Sequence, residues 1–305
     1  MAAVKPGVRV ARVRMSEPIK LSSPATKEFW EIPVLYEDDQ LLALGKPAGL
    51  LTSPDRYDAN RPNLMKLLHA GIERGTFWAK SRGLDYLMNA HRLDFETSGA
   101  ILLAKNRATL VALANLFGAE KPVKEYVALV HGAPVRPVFE VNAKLAPHPL
   151  KVGLVRVDEK SGKKSCTHFQ LLERYSNHSL LNCQPLTGRT HQIRVHLRHA
   201  GLPIVGDELY GGTPLLLSRL KSGYRLKPKR TELPLIGRVA LHAAKLTIPH
   251  PTTGAEVVIE APWAKDFSVA VKYLRRYAGL PGAVSAAEDA PGYGDEADEI
   301  AGDPS

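Results

Sequence analysis

The sequence predicts an α+β fold: a mixed, largely antiparallel central sheet with flanking helices and loops. Three observations lead there. Short apolar runs bounded by Pro, Gly, Ser or Asn outnumber the segments with helical spacing. The two kinds of segment do not alternate regularly, as a doubly wound fold requires. Over 305 residues, 44% hydrophobic and 24% charged residues make an ordinary globular composition, which excludes a wholly disordered, collagenous or coiled-coil chain.

Residues 1–30 show no sustained period and contain Pro6, Pro18 and Pro24, so they read as an extended basic arm. The globular body spans 31–280, long enough for two subdomains. It opens with a hairpin, strands at 34–36 and 41–44 around Glu37-Asp38-Asp39, stopped by Lys46-Pro47-Ala48-Gly49. Leu64, Leu67, Leu68 and Ile72 fall at helical spacing. A short buried strand at 101–104 follows Gly99, and Asn106 caps a helix carrying Leu110, Leu113, Ala114 and Phe117, which ends at Gly118. Strands are then predicted at 126–130, 139–141, 152–157, 167–172 and 180–183. A helix runs from a Thr190 cap to His199 and stops at Gly201-Leu202-Pro203. Strands at 241–248 and 255–259 flank the turn Pro251-Thr252-Thr253-Gly254, and a helix at 267–277 closes the body. Residues 281–305 are rich in Gly, Pro, Ala and acids and read as a disordered tail.

Charge is unevenly spread. From Glu288 onward there are seven acids and no Lys or Arg, so the rest of the chain carries +17 against +10 for the whole. A body that basic favours a polyanionic partner through field focusing and release of phosphate counterions. No run of about 18 apolar residues exists, so no membrane span is expected. Cys166 and Cys183 cannot build a disulfide framework, which points to a reducing compartment, the cytoplasm. With no exposed apolar stripe in the pattern, a monomer is expected.

Two stretches carry the chemistry. His91-Arg92-Leu93-Asp94-Phe95-Glu96-Thr97-Ser98-Gly99 packs a base, a cation, two acids and two hydroxyls ahead of an apolar strand. Gly99 can adopt positive φ where the loop enters that strand, and Thr97 and Ser98 can bond local backbone. Such a loop would hold a carboxylate at the mouth of a sheet, although Arg92 and Asp94 pairing as a plain surface turn fits the same residues. The second stretch, residues 186–197, holds Arg189, Thr190, His191, Arg194 and His196. Ile193 and Leu197 face the core at i,i+4, and Arg194 and Arg198 share a neighbouring face. Arg194 is suited to keep a cleft carboxylate ionised. His191, His196 and His199 match no usual zinc spacing, so no metal is expected there, and Arg189 and His191 read as substrate-binding groups. Tyr126 offers a flat ring on a strand, a core residue by default but also a partner for an extruded base. Lys221, Arg225, Lys227, Lys229 and Arg230 form a basic run around Tyr224, suited either to phosphate tracking or to a solvated loop.

In combination these residues resemble the RluA-type pseudouridine synthases, which isomerise uridine in structured RNA. The family signature His-Arg-Leu-Asp, two variable residues, Thr-Ser-Gly is matched fully at 91–99, and Thr-Gly-Arg-Thr-His-Gln-Ile-Arg-Val-His-Leu at 187–197 also agrees. Gly201-Leu202-Pro203-Ile204-Val205-Gly206-Asp207 with Tyr210-Gly211, Leu241-His242-Ala243, and His250 to Gly254 complete the set, and Lys46-Pro47-Ala48-Gly49-Leu50 looks like the family's early motif. The resemblance covers roughly residues 33 to 265. It implies the pseudouridine synthase catalytic fold, Asp94 as the catalytic carboxylate and Arg194 as its ion-pair partner. Tyr126 would stack on the target uracil and assist in removing the C5 proton, Leu241 would pack near the base, and Arg92 would enter the space the uridine leaves. The chain departs from the family at Leu51-Thr52-Ser53-Pro54, where a His-Pro is frequent, and shows no S4-type domain in its first 30 residues. The implied partner is ribosomal RNA first and transfer RNA second.

The chemistry agrees with that implication. Moving uracil from an N1 to a C5 link breaks one glycosidic bond, rejoins another and removes a proton. One placed carboxylate can attack the sugar or stabilise its positive charge, so no cofactor is required, and no Gly-rich nucleotide fingerprint is present. Two other readings stay open on the residues alone: a glycoside or nucleoside hydrolase using Asp94 and Glu96 as a carboxylate pair, and a non-catalytic RNA-binding protein on the same scaffold.

Overall fold

The computed structural model describes residues 17–55, 61–226 and 229–280. Strands β1 (Ile19–Ser23) and β2 (Glu28–Ile32) pair as a separate antiparallel hairpin. Next come β3 (Val34–Glu37), β4 (Leu41–Lys46), helices α1 (Leu64–Glu73) and α2 (Phe77–Lys80), and strands β5 (Met88–Asn89) and β6 (Ser98–Ala104). Helix α3 (Arg107–Gly118) leads into β7 (Val123–His131), β8 (Val138–Pro147), β9 (Val155–Val157), β10 (Lys163–Arg174) and β11 (His178–Pro185). Helices α4 (Gln192–His199) and α5 (Leu217–Leu220) precede β12 (Leu241–Pro249), β13 (Glu256–Glu260) and α6 (Lys265–Ala278). No helix among the described residues is long and apolar enough to cross a membrane.

The main sheet runs β3-β4-β6-β12-β7-β11-β10-β8-β9, with β13 on β12 and β5 on β6. Among the described residues every pairing in it is antiparallel except β6 with β12, which lie parallel through Ser98↔His242 and Ala243↔Gly99. The α+β, largely antiparallel architecture is thus what the patterning predicts, and the parallel seam is the feature it does not show. Strand β6 is buried along its whole length, which its unbroken Ala-Ile-Leu-Leu-Ala run requires. Gly99 has φ +117°, and a Cβ there would meet the Ala243 carbonyl oxygen at 2.2 Å, so the seam closes only over a glycine.

The helices follow ordinary physical signals. Asn106 Oδ1 accepts from Thr109 N at 2.8 Å and starts α3, as the sequence predicts. Asn63 Oδ1 caps α1 in the same way, at 2.9 Å from Lys66 N. In α6, Phe267, Ala270, Val271 and Leu274 repeat at i, i+3, i+4 and i+7 and are buried against the sheet. Burying a side chain such as Leu274 contributes about 1.5–3 kcal/mol.

Several expectations need correction. Where it is described, the arm is extended but paired and packed: in β1 buried and exposed residues alternate, and Ile19, Leu21 and Ile32 join the core beneath α1. Residues 1–16 and the acidic tail, 281–305, lie outside the described residues. The strand predicted at 152–157 is only β9, because Lys151 to Gly153 form a turn with Gly153 at φ +82°. Helix α4 begins at Gln192, and its first cap position is His191 in the left-handed region (φ 54°), so Thr190 does not cap it. The basic run near 221–230 follows α5 as loop, with residues 227–228 outside the described set.

Candidate active site

The parallel seam brings the site together. The loop 90–97 ends where β6 starts, beside the start of β12, and β7 runs antiparallel on the other side of β12. The pairings Leu241↔Ala128 and Ala243↔Tyr126 therefore set Tyr126 and Leu241 on one face of the sheet. Helix α4 covers that same face further along: Thr167 Oγ1 lies 2.9 Å from His196 Nδ1 and 3.0 Å from Gln192 Nε2.

Asp94 sits on a backbone pinned from both sides. Thr52 Oγ1 donates to the Leu93 carbonyl at 3.0 Å and accepts from Leu93 N at 3.1 Å. Gly49 N donates to the Phe95 carbonyl at 2.9 Å, and Thr97 N donates to the Asp94 carbonyl at 3.2 Å. Arg238 Nη1 reaches the Glu96 carbonyl at 3.3 Å while the same guanidinium grips Asp266 at 2.7 and 2.9 Å. Beneath the loop, buried Lys46 donates to the carbonyls of Pro47 and Leu50 at 2.8 and 2.6 Å, with Phe95 O at 3.4 Å. Burial pushes the Lys46 ammonium down to about 7, against the attraction of Asp94.

The side chain of Asp94 remains 22% exposed and faces one group from α4 and one from its cap position: Arg194 Nη1 at 3.9 Å from Oδ2, and His191 Nε2 at 4.0 Å from Oδ1. Arg194 is thus beside Asp94, but Asp94 is not its primary partner. Asp207, 1% exposed, takes the 4%-exposed guanidinium in two 2.7 Å bonds, Nε to Oδ2 and Nη2 to Oδ1. This fork-to-fork pair orients Arg194 and leaves Nη1 for Asp94. Burial lowers the affinity of Arg194 for its proton, but the bonds and charge of Asp207, helped by Asp94, more than reverse that.

His191 is positioned by Tyr210, whose hydroxyl lies 2.8 Å from Nδ1 and also accepts from Val155 N at 3.0 Å. The assignment that satisfies every group has Tyr210 donating to Nδ1, which leaves the imidazole proton on Nε2, facing Asp94. Burial holds the His191 ring below the usual imidazole range despite Asp94. The ring of Tyr210 also lies under Arg194, 4.9 Å from ring centre to guanidinium carbon.

Of the other expected site residues, Tyr126 is partly buried, and burial together with the charge of Asp94 raises its phenol pKa, so it keeps its proton at neutral pH. Leu241 is buried among the core side chains. Arg92 is exposed next to Asp94. Arg189 is turned away: its Nε donates to the Lys164 carbonyl at 3.2 Å, on β10. Glu96 is partly buried, and burial raises its carboxyl pKa in spite of Arg194. The residues that spacing did not single out are Asp207, Tyr210, Lys46, Thr52 and Arg238. Asp207 and Tyr210 fall inside the quoted Gly201–Gly211 run, and Lys46 opens the early motif, so the signal was present without the role.

Comparison with known proteins bears on what this geometry does. The sequence profile of the RNA pseudouridylate synthase family matches residues 40–199. The chain is 37% identical over 244 residues to ribosomal large subunit pseudouridine synthase C of Salmonella typhi, covering 79% of this chain and 70% of that one. It is 36% identical over 250 residues to an uncharacterized RNA pseudouridine synthase of Synechocystis, covering 80% and 69%. Among solved structures, human RNA pseudouridylate synthase domain containing 1 superposes with a TM-score of 0.56 at 26% identity, over 79% of this chain and 87% of that one. Human RNA pseudouridylate synthase domain containing 4 gives 0.59 at 22% identity, over 79% and 92%, a likeness of fold. The hydrolase and non-catalytic readings give way to these matches: the chain belongs to the RluA-type pseudouridine synthases, isomerases that act on uridine in RNA.

Proposed function

We propose that this enzyme forms pseudouridine in large-subunit ribosomal RNA, with Asp94 acting on the ribose of a uridine swung out of its helix. The observation that carries the reading is Asp94 itself: a partly open carboxylate on a pinned loop, with Arg194 and His191 both within 4.0 Å. Relatives named for the ribosomal large subunit support the choice of RNA. In this reading Arg194 orients Asp94 without quenching it, and the carboxylate adds to C1′ or steadies the charge that develops there as the N1–C1′ bond breaks. Tyr126 stacks on the free uracil, with Leu241 behind it. Because its phenol holds its proton, Tyr126 takes up the C5 proton only as its own O–H proton passes to solvent water. Extruding the base costs a few kcal/mol, offset by Lys and Arg contacts to phosphates and by Arg92 entering the vacated stack. A ribosomal substrate places the enzyme in the cytoplasm, and we take it to act as a monomer.

The test is Asp94→Asn. Pseudouridine mapped across total RNA should disappear from defined large-subunit positions, while affinity of the purified variant for that RNA stays within a few-fold of the parent. Loss of RNA binding with the carboxylate, or lost sites confined to transfer RNA, would overturn the respective half of the proposal.

A further inference from the structure

On the face of the sheet opposite α4, strands β8 and β10 carry a cluster outside the reaction described above. Register pairs Glu140 directly with His168, and Cys166 lies two positions before His168 on the same face. Thr167 and Ser165, which alternate with them, point the other way and bond α4 residues. Cys166 is partly exposed and the other two are exposed. Their ligand atoms all lie within 4.8 Å of one another, and His168 Nε2 is 2.7 Å from Glu140 Oε2. Among the described residues this is the one place where three His, Cys, Asp or Glu ligand atoms converge in this way.

We propose that Glu140, Cys166 and His168 form a zinc site that clasps β8 to β10, with a water in the fourth position. A thiolate, an imidazole and a carboxylate make a borderline donor set that suits Zn²⁺, whereas Ca²⁺ and Mg²⁺ demand shells of oxygen. Tetrahedral bonds of about 2.0 Å to N and O and about 2.3 Å to S place ligand atoms about 3.3–3.5 Å apart. The His168–Glu140 hydrogen bond must therefore open by roughly 0.6 Å, and the widest separation must close by little more than 1 Å. Side-chain rotation on two paired strands supplies both movements. Without metal, the thiol bonds Glu140, and burial and that carboxylate push its pKa up. On binding, the S–H bond is exchanged for a Zn–S bond and the proton leaves to solvent. His168 coordinates through Nε2, so the proton that Nε2 gives to the Glu140 hydrogen bond must shift to Nδ1 through solvent, or leave to solvent where Nδ1 is already protonated. No electron transfer is involved. Spacing along the chain hides this set, since Glu140 and His168 are 28 positions apart.

The experiment is titration of the purified full chain with Co²⁺ and then Zn²⁺. One equivalent of Co²⁺ should give a thiolate charge-transfer band that Zn²⁺ displaces, and Zn²⁺ should raise the melting temperature. Cys166→Ser and His168→Ala should each abolish the band and weaken Zn²⁺ binding at least about tenfold. None of the three residues belongs to the Asp94 site, so RNA modification by metal-free protein stays unchanged, and the outcome is independent of the functional proposal. Absence of a band, or Zn²⁺ binding of equal strength in Cys166→Ser, would refute the site. The second result would assign the ion to the histidines of α4.

Discussion

Asp207→Asn isolates the role of the buried fork that holds Arg194. The substitution removes the charge and turns one accepting oxygen into an NH₂ facing a guanidinium N–H, so one of the two 2.7 Å bonds becomes a clash of donors. Breaking a buried pair from one side costs about 3–5 kcal/mol, because the remaining charge stays buried without its partner. At about 2–4 °C per kcal/mol for a chain of this size, melting should fall by about 10 °C. A second effect is local to the reaction. Freed from Asp207, Arg194 has one carboxylate left within reach, Asp94 at 3.9 Å. Closing that gap to about 2.8 Å at an effective dielectric of about 20 raises the attraction from about 4 to about 6 kcal/mol. That surplus stabilises resting Asp94 and should slow the reaction by about tenfold or more. Scanning calorimetry reads the first effect, and tritium release from RNA carrying 5-tritiated uridine under single-turnover conditions reads the second. The apolar pair Asp207→Leu with Arg194→Met should regain most of the stability and none of the rate. If Asp207→Asn melts within a degree of the parent and turns over at the parental rate, the fork does not position Arg194 and the reasoning fails.

Two further outcomes follow from the same geometry. In Lys46→Met the ammonium that burial holds near 7 is gone. The unfolded chain binds that proton up to about pH 10.4, so wild-type stability rises with pH between about 7 and about 10, by up to about 1.4 kcal/mol per unit, relative to the variant. Urea titrations at pH 6.5, 8 and 9.5 (assay settings, roughly spanning that window) check this, and a constant gap would show that Lys46 titrates normally. Glu96→Gln mimics the protonated acid that burial favours and should keep activity within about fivefold. A loss of about 10² or more would instead mark Glu96 as an acid–base group.

The elements that local chemistry specifies were legible: the Asn106 cap, the hairpin of β3 and β4, and the apolar face of α6. The loop that bears Asp94 stood out as well, because it carries a long signature. What escaped depended on which distant groups meet. The cation at 194 reads as a partner for Asp94, yet a second acid 13 positions on claims it first, and only the turn that buries Asp207 decides between them. His191 takes positive φ because Tyr210 and the start of α4 hold it there, against the usual preference of the backbone. Residues 19–22 did alternate in polarity, but three prolines nearby masked a pattern only a few residues long.

The parallel seam also constrains how the enzyme comes into being. Its two strands meet across 144 positions, Ser98 against His242, and the loop bearing Asp94 enters the finished sheet only when that meeting occurs. Contacts so remote along the chain form late, and a nascent polypeptide gains its later segments last. A chain still being translated, and shorter than about 250 residues plus the length hidden in the exit tunnel, therefore has no β12 for β6 to pair with. Closure of the seam therefore waits until β12 has left the tunnel, and a product cut off before it lacks the strand against which the Asp94 loop enters the sheet.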